Sequence, residues 1–178
     1  MRKYLFNSVF PFSVLFILFS SASAQETTIK KQNSENGLIE TPWLKNKITG
    51  TQKQYYKTGK IMRETPFVEN VMSGTEKTYY ENGNLKRETP FAENKINGTA
   101  KFYTESGILK NETNYLNGKI NGSDISYYEN GKVKTETPYT DNKINGIVKY
   151  YDETGNLKGE TIYTDGKVKA TEKRQTAK

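Results

Sequence analysis

Glutamate is the titratable side chain that recurs most regularly in this sequence, once every 24 residues and each time followed by threonine. The six copies are Glu40, Glu64, Glu88, Glu112, Glu136 and Glu160. Carboxylates serve general acid–base catalysis and oxygen-ligated metal sites. A metal ion held by these glutamates needs at least two of them close together, so the fold of the repeat decides whether they can act jointly.

The sequence of 178 residues contains neither histidine nor cysteine. This removes the commonest general base, the thiolate metal ligands and any disulfide. A Ser–His–Asp or Cys–His arrangement cannot be assembled, and no glycine-rich phosphate loop precedes a predicted helix. We therefore predict a protein that is not an enzyme and has no catalytic residue, metal site or cofactor.

The glutamates belong to a 24-residue repeat with five units after an opening half-unit, in which glycine, tyrosine and an aromatic residue keep the same period. The glycines are Gly50, Gly74, Gly98, Gly122 and Gly146. The tyrosines are Tyr55, Tyr79, Tyr103, Tyr127 and Tyr151. The aromatic ladder is Trp43, Phe67, Phe91, Tyr115, Tyr139 and Tyr163. Such a pattern predicts that each unit buries itself on its neighbours.

Two turn signals divide each unit, one like Asn82-Gly83 and one like Asn94. Asn and Gly tolerate the positive φ of tight hairpins. The stretches between them are rich in Tyr, Thr, Ile, Val and Phe and lack a 3.6-residue period. Because only 33% of the residues are hydrophobic, the chain cannot fill a thick core. We predict an all-β fold, an elongated, twisted antiparallel β-meander of 24-residue hairpin repeats in a single-layer sheet.

Pairing across the first turn predicts the register. A tip at Asn82-Gly83 places Tyr80 opposite Leu85 and Lys77 opposite Glu88. The equivalent pairs are Lys53 with Glu64, Lys101 with Glu112, Lys149 with Glu160 and, in the fourth unit, Ile125 with Glu136. Glutamates of successive units would then lie ~9.6 Å apart, too far to share one metal ion. Pairing with lysine is the predicted role of these carboxylates.

Pairing across the second turn places the aromatic ladder opposite aliphatic residues, as with Phe91 and Ile96. Two-residue turns throughout would leave strands of nine and eleven residues, whereas hydrogen bonding to alternate neighbours needs an even count. We therefore expect either a longer loop at one turn or a bulge, for which Gly98 is suited. The sequence leaves open which turn is longer.

The register also sorts side chains onto two faces. One face holds the aromatic–aliphatic pairs, and the other holds the Lys–Glu pairs beside a row of tyrosines. Tyrosine offers rigid area and a hydroxyl for protein or glycan contact. We take this row as the candidate protein-binding site, formed by Tyr55, Tyr79, Tyr103, Tyr127 and Tyr151.

The termini differ from the repeat. Residues 1–24 combine a basic start, an apolar run and Ala22-x-Ala24, the pattern of a signal peptide cleaved after Ala24. Cleavage would lower the formal net charge from +7 to +5 by removing Arg2 and Lys3. We expect export to the periplasm, the cell envelope or the medium, and the mixed charges argue against a nucleic-acid partner.

The remaining boundaries follow from composition. We predict a flexible leader over residues 25–36, a repeat domain of about five and a half units over residues 37–169, and a basic, disordered tail over residues 170–178. The tail is suited to weak contact with anionic lipid.

The stretch "YYENGNLKRETPFAENKING" and its copies resemble the MORN repeat variant, in particular that of bacterial YwqK-type antitoxin-like proteins. The similarity covers residues 35–169. It implies a sheet of β-hairpin repeats without catalysis that acts through binding, with scaffolding, self-association or lipid contact as the associated roles. The antitoxin label implies neutralisation of a toxin protein.

These observations leave three functional hypotheses. The first is an exported, non-enzymatic module for protein–protein binding or scaffolding, whose partner is another protein or a second copy. The second is an antitoxin or immunity protein. The third is a binder at the envelope or membrane surface, acting through the basic tail and through lipid or glycan contacts.

Overall fold

The computed structural model describes residues 26–173. The predicted signal peptide and its cleavage site lie outside the described residues, as do residues 174–178 of the predicted tail. Within the described part the structure is all-β, a single open antiparallel sheet in which each strand pairs with its neighbours along the chain. The predicted single-layer β-meander is confirmed.

Seventeen strands make up this sheet. They are β1 (Thr28–Ser34), β2 (Gly37–Leu44), β3 (Lys47–Ile48), β4 (Gly50–Tyr55), β5 (Ile61–Val68), β6 (Val71–Met72), β7 (Gly74–Tyr79), β8 (Leu85–Ala92), β9 (Lys95–Ile96), β10 (Gly98–Tyr103), β11 (Leu109–Leu116), β12 (Lys119–Tyr127), β13 (Val133–Thr140), β14 (Lys143–Ile144), β15 (Gly146–Tyr151), β16 (Leu157–Thr164) and β17 (Lys167–Lys173). The two-residue strands β3, β6, β9 and β14 are the starts of longer strands that a bulge interrupts, so β3 and β4 both pair with β2. The sheet therefore grows by one hairpin per unit.

The first turn of each unit is longer than the predicted two residues. The Gly83 N–H donates to the Tyr80 carbonyl at 2.9 Å, the Tyr80 N–H donates to the Asn84 carbonyl at 2.8 Å, and Gly83 has φ of +98°. This is a three-residue loop closed by a glycine in the left-handed region. The register also shifts beside it, so Tyr79 lies opposite Leu85. The predicted Tyr80–Leu85 pair is wrong for this reason.

The second turn is the tight one. Glu93 and Asn94 have φ of +50° and +63°, as a two-residue type I′ turn requires, and Phe91 lies opposite Ile96 as predicted. A bulge follows at Gly98, because Ile96 pairs with Phe91 while Lys101 pairs with Glu88. The longer first turn and this bulge together explain how strands with a predicted odd number of residues can pair with neighbours on both sides.

Asparagine at the second turn joins successive units. The side-chain oxygen of Asn94 accepts a hydrogen bond from the Met72 N–H at 2.8 Å, and the Asn94 N–H donates to the Met72 carbonyl at 3.1 Å. Asn70 and Asn142 bond the preceding unit in the same way. Gly118, at the equivalent position, keeps only the backbone bond. The turn of one unit thus extends the sheet of the unit before it.

The most buried side chains form a line of threonines across the face that carries the aromatic ladder, which we call the threonine face. They are Thr65, Thr89, Thr113 and Thr161, with Glu76, Ala100 and Val148 between or beside them. The ladder aromatics are only half-buried. A single layer has no second sheet to cover large side chains, so short residues in mid-strand become the core.

The sheet begins before the predicted repeat domain. The sequence predicts a flexible leader over residues 25–36, yet Thr28–Ser34 form β1, paired with β2 from Thr28–Trp43 to Ser34–Gly37. The hairpin between them has a two-residue turn, shorter than its equivalents, which breaks the 24-residue phase and hides the strand from self-comparison. At the other end β17 reaches Lys173, inside the predicted tail.

Candidate binding face

The candidate tyrosines occupy one position in the fold. Tyr55, Tyr79, Tyr103, Tyr127 and Tyr151 are the last residues of β4, β7, β10, β12 and β15. A lysine stands two residues before each of them, except in the fourth unit, where Ile125 takes its place. Residues two apart on a strand share a face, so these side chains lie on the face opposite the threonine line, which we call the tyrosine face.

Lysine and glutamate alternate in register across this face. The pairs are Lys31–Glu40, Lys53–Glu64, Lys77–Glu88, Lys101–Glu112 and Lys149–Glu160. The predicted Lys–Glu register is therefore confirmed. The ammonium-to-carboxylate distance is 2.6 Å for Lys31–Glu40 and 3.2 Å for Lys101–Glu112. Because these groups are partly exposed, each pair contributes at most about 1 kcal/mol.

Each tyrosine hydroxyl is held by a glutamate of the preceding unit, fifteen residues earlier. The oxygen-to-oxygen distances are 2.8 Å for Tyr55–Glu40, 2.8 Å for Tyr79–Glu64, 3.2 Å for Tyr103–Glu88, 2.7 Å for Tyr127–Glu112 and 3.5 Å for Tyr151–Glu136. In the first four pairs the glutamate also meets a lysine on its other side. We call this array the Lys–Glu–Tyr row.

The carboxylates of the row are already in contact with other side chains. Its glutamates are bound by lysine and tyrosine, and no group of metal-ligating side chains occurs within residues 26–173. The hydrogen bond from Tyr127 is the main cause that lowers the pKa of Glu112, and Lys101 lowers it further. At Glu112 the arrangement favours the ionised carboxylate as a structural hydrogen-bond acceptor.

Burial and these contacts raise the pKa of four of the phenols, those of Tyr55, Tyr79, Tyr103 and Tyr127. Burial, and then the hydrogen bond and charge of the neighbouring glutamate, raise the pKa of Tyr55, Tyr79 and Tyr127 to about 12. The pKa of Tyr103 is raised for the same reasons. The neutral phenol is thus the form that the folded sheet stabilises.

Alkaline pH should therefore destabilise the protein. The folded pKa of Tyr79 is about 12 and its ordinary value 10.0, so the folded chain keeps protons that the unfolded chain releases. This stability is fully present below pH 10 and is lost as pH rises to about 12. We expect the urea midpoint to fall across this window, and to fall less in a Tyr55→Phe/Tyr79→Phe/Tyr127→Phe variant. An equal fall in both proteins would contradict the assignment.

The fourth unit departs from the row. Ile125 stands opposite Glu136, so this glutamate has no lysine on that side. Its side chain is 42% exposed, against 23% for Glu112, and it lies 3.6 Å from Lys149. The row is accordingly loosest at Tyr151.

The sequence analysis placed the five tyrosines together but missed their hydroxyl partners. The Tyr–Glu contact runs diagonally between strands and joins different units, so pairing residues directly across one hairpin does not find it. Its signal is the constant fifteen-residue separation between each tyrosine and the preceding repeat's glutamate.

Fold and site together define a solenoid-like protein built from one hairpin unit, with a repeated row of side chains on one face. The chain belongs to the MORN repeat variant family, whose sequence model matches residues 48–69, 72–93, 96–117, 121–141 and 144–165. MORN repeats are generally associated with protein or membrane binding and are typically non-enzymatic modules. No curated protein matches the chain. No helix able to span a bilayer occurs between residues 26 and 173.

Proposed function

We propose that this protein is an exported, non-enzymatic binding module that engages a protein partner, or a second copy of itself, through the Lys–Glu–Tyr row. The observation that carries the proposal is that four of the five tyrosine hydroxyls lie within 3.2 Å of a glutamate. Equivalent tyrosines recur every second long strand, ~9.6 Å apart. They form a regular line of half-buried aromatic surface.

Fixed rings favour binding because little side-chain freedom remains to be lost on association. Tyrosine also provides large contact area with few rotatable bonds. Alternating lysine and glutamate beside the rings would set the register of a partner with complementary charges. The same row that stabilises the sheet is thus preorganised as a contact surface.

Replacement of two central tyrosines tests the proposal. We expect Tyr79→Ala/Tyr103→Ala to lose a defined partner in affinity capture, or to lose self-association measured by light scattering. The matched control is Tyr79→Phe/Tyr103→Phe, which keeps the rings and removes the hydroxyl bonds. Binding that survives in the folded Ala variant would exclude the row as the contact surface.

The captured partner also decides between the finer roles. An exported toxin inactivated by this chain would make it an immunity protein. Binding to anionic vesicles that is lost on deletion of residues 174–178, which follow β17, would instead favour the envelope-surface role. Export itself is tested by the mass of the isolated protein, which should correspond to a chain that starts at Gln25.

A further inference from the structure

A cationic depression lies on the threonine face and borders the Lys–Glu–Tyr row at Tyr79. Arg63, Thr78, Arg87 and Phe102 are in register across β5, β7, β8 and β10. Each is adjacent in sequence to a residue of the Lys–Glu line, so alternation places these four on the opposite face. The lining of this cavity of about 300 Å³ is completed by Tyr56, Met62, Tyr79 and Lys86.

The two arginines differ in their surroundings. The Arg87 guanidinium is 3.1 Å from the carboxylate of Glu76, which is 5% exposed, and 5.8 Å from the Phe102 ring centroid. Its direction is thereby fixed. Arg63 is exposed, and no hydrogen bond or ion pair joins its guanidinium to another side chain in the part of the chain that the structure describes. One guanidinium is held in place and the other is open to a ligand.

The depression carries more positive than negative charge. Three cationic side chains line it, and the neighbouring carboxylate of Glu76 is already paired with Arg87. At its edge, burial and then the carboxylates of Glu81 and Glu105 raise the pKa of the Tyr56 phenol. The hydroxyl-bearing Thr78 lies between the two arginines, and aromatic rings of Tyr56 and Phe102 form part of the walls. Guanidinium groups bind carboxylates through two parallel hydrogen bonds. The guanidinium groups and the aromatic walls together suit a ligand whose carboxylate is carried by an apolar chain.

The repeat does not require this cluster. In later units asparagine, threonine and glycine occupy the position of Arg63 and Arg87, at Asn111, Thr135 and Gly159. The sheet forms in those units without an arginine. The arginines therefore are not part of the recurring scaffold.

We propose that this depression binds the acidic side chains of an extended segment of a partner protein. A cavity of about 300 Å³ is at the lower limit of ligand pockets and accommodates one or two side chains. The two residues that flank this paired set are uncharged, because Gln54 pairs with Arg63 and Asn111 pairs with Phe102. A lipid surface calls for cations spread over a plane, whereas these are confined to one depression, which favours an acidic peptide.

The test measures fluorescence anisotropy of a labelled hexaglutamate peptide with the protein as isolated from the expressing cells. We expect saturable binding, about tenfold weaker in Arg63→Gln because one charge-assisted contact is lost. Lys110→Gln removes the same charge from an exposed site in the next unit and should change the affinity less than about twofold. Hexaglutamine should not bind.

Three results would overturn the proposal. These are no binding of hexaglutamate, equal weakening by Arg63→Gln and Lys110→Gln, and binding of phosphatidylserine vesicles that depends on Arg63 while the peptide does not bind. The second result would show that binding depends only on overall charge, and the third would show that the depression binds a membrane. Circular dichroism of each variant confirms that the sheet is intact.

Discussion

Substitution of Gly98 by alanine should destabilise the protein by about 2–4 kcal/mol. Gly98 has φ of +116°, and a Cβ there would lie 3.0 Å from Cγ of Pro90. Alanine rarely adopts this backbone conformation, and proline cannot rotate away from the added methyl group. The backbone strain and the close contact with Pro90 both arise at the bulge that compensates for the odd number of residues in the strand, in the middle of the repeat array.

Urea unfolding followed by circular dichroism measures this effect. Gly118→Ala is the matched control, because Gly118 has φ of +85° and a Cβ added there would have no neighbouring atom within 4 Å, and asparagine adopts similar angles at equivalent turns. In a repeat array the interfaces between neighbours contribute to stability, so the Gly98→Ala transition should also broaden. Equal loss in the two variants would show that the contact with Pro90 is unimportant.

Substitution of Thr89 by valine should have the opposite sign and stabilise the protein by about 1–2 kcal/mol. Thr89 is 2% exposed, and its hydroxyl has no hydrogen-bond partner among the described residues. The residue eleven positions later, which accepts this bond in two other units as Glu76 and Asp124, is Ala100 here. Valine keeps the shape and the β-branch while it removes the unpaired hydroxyl.

The same substitution one unit earlier should destabilise the protein. The Thr65 hydroxyl donates to the Glu76 carboxylate at 3.0 Å, and that carboxylate is itself buried. Thr65→Val should cost about 1–3 kcal/mol, as expected for a lost bond to a charged group. Urea midpoints of the two variants, measured against the parent chain, should therefore move in opposite directions. A shift of both in one direction would contradict the assigned hydrogen bonding.

The parts of the fold that local patterns determine were predictable. Asn94 and Phe91 define a tight turn and its flanking pair, and the match of Lys77 with Glu88 repeats in other units. Agreement among turn residues, charge pairs and period is sufficient to pair Lys77 with Glu88 and Phe91 with Ile96. The single-layer β-meander followed from these features, and the structure confirms it.

The remaining features depend on geometry that the sequence does not specify. Asn82-Gly83 is compatible with a two-residue or a three-residue loop, and the shorter loop wrongly pairs Tyr80 with Leu85. The β1–β2 hairpin is out of phase with the repeat, so self-comparison does not reveal Thr28–Ser34 as a strand. The diagonal Tyr–Glu bonds appear only when strands from different units are placed side by side.

Site-specific photo-cross-linking tests the central claim, partner binding through the Lys–Glu–Tyr row, most directly. A benzophenone side chain is introduced at Tyr79 or Tyr103 and, as the matched control on the threonine face, at Phe91. We expect both tyrosine positions to yield one and the same discrete adduct in the cells that express the chain, and Phe91 not to yield it. The account would be contradicted if Phe91 alone gave that adduct, or if none of the three positions gave it.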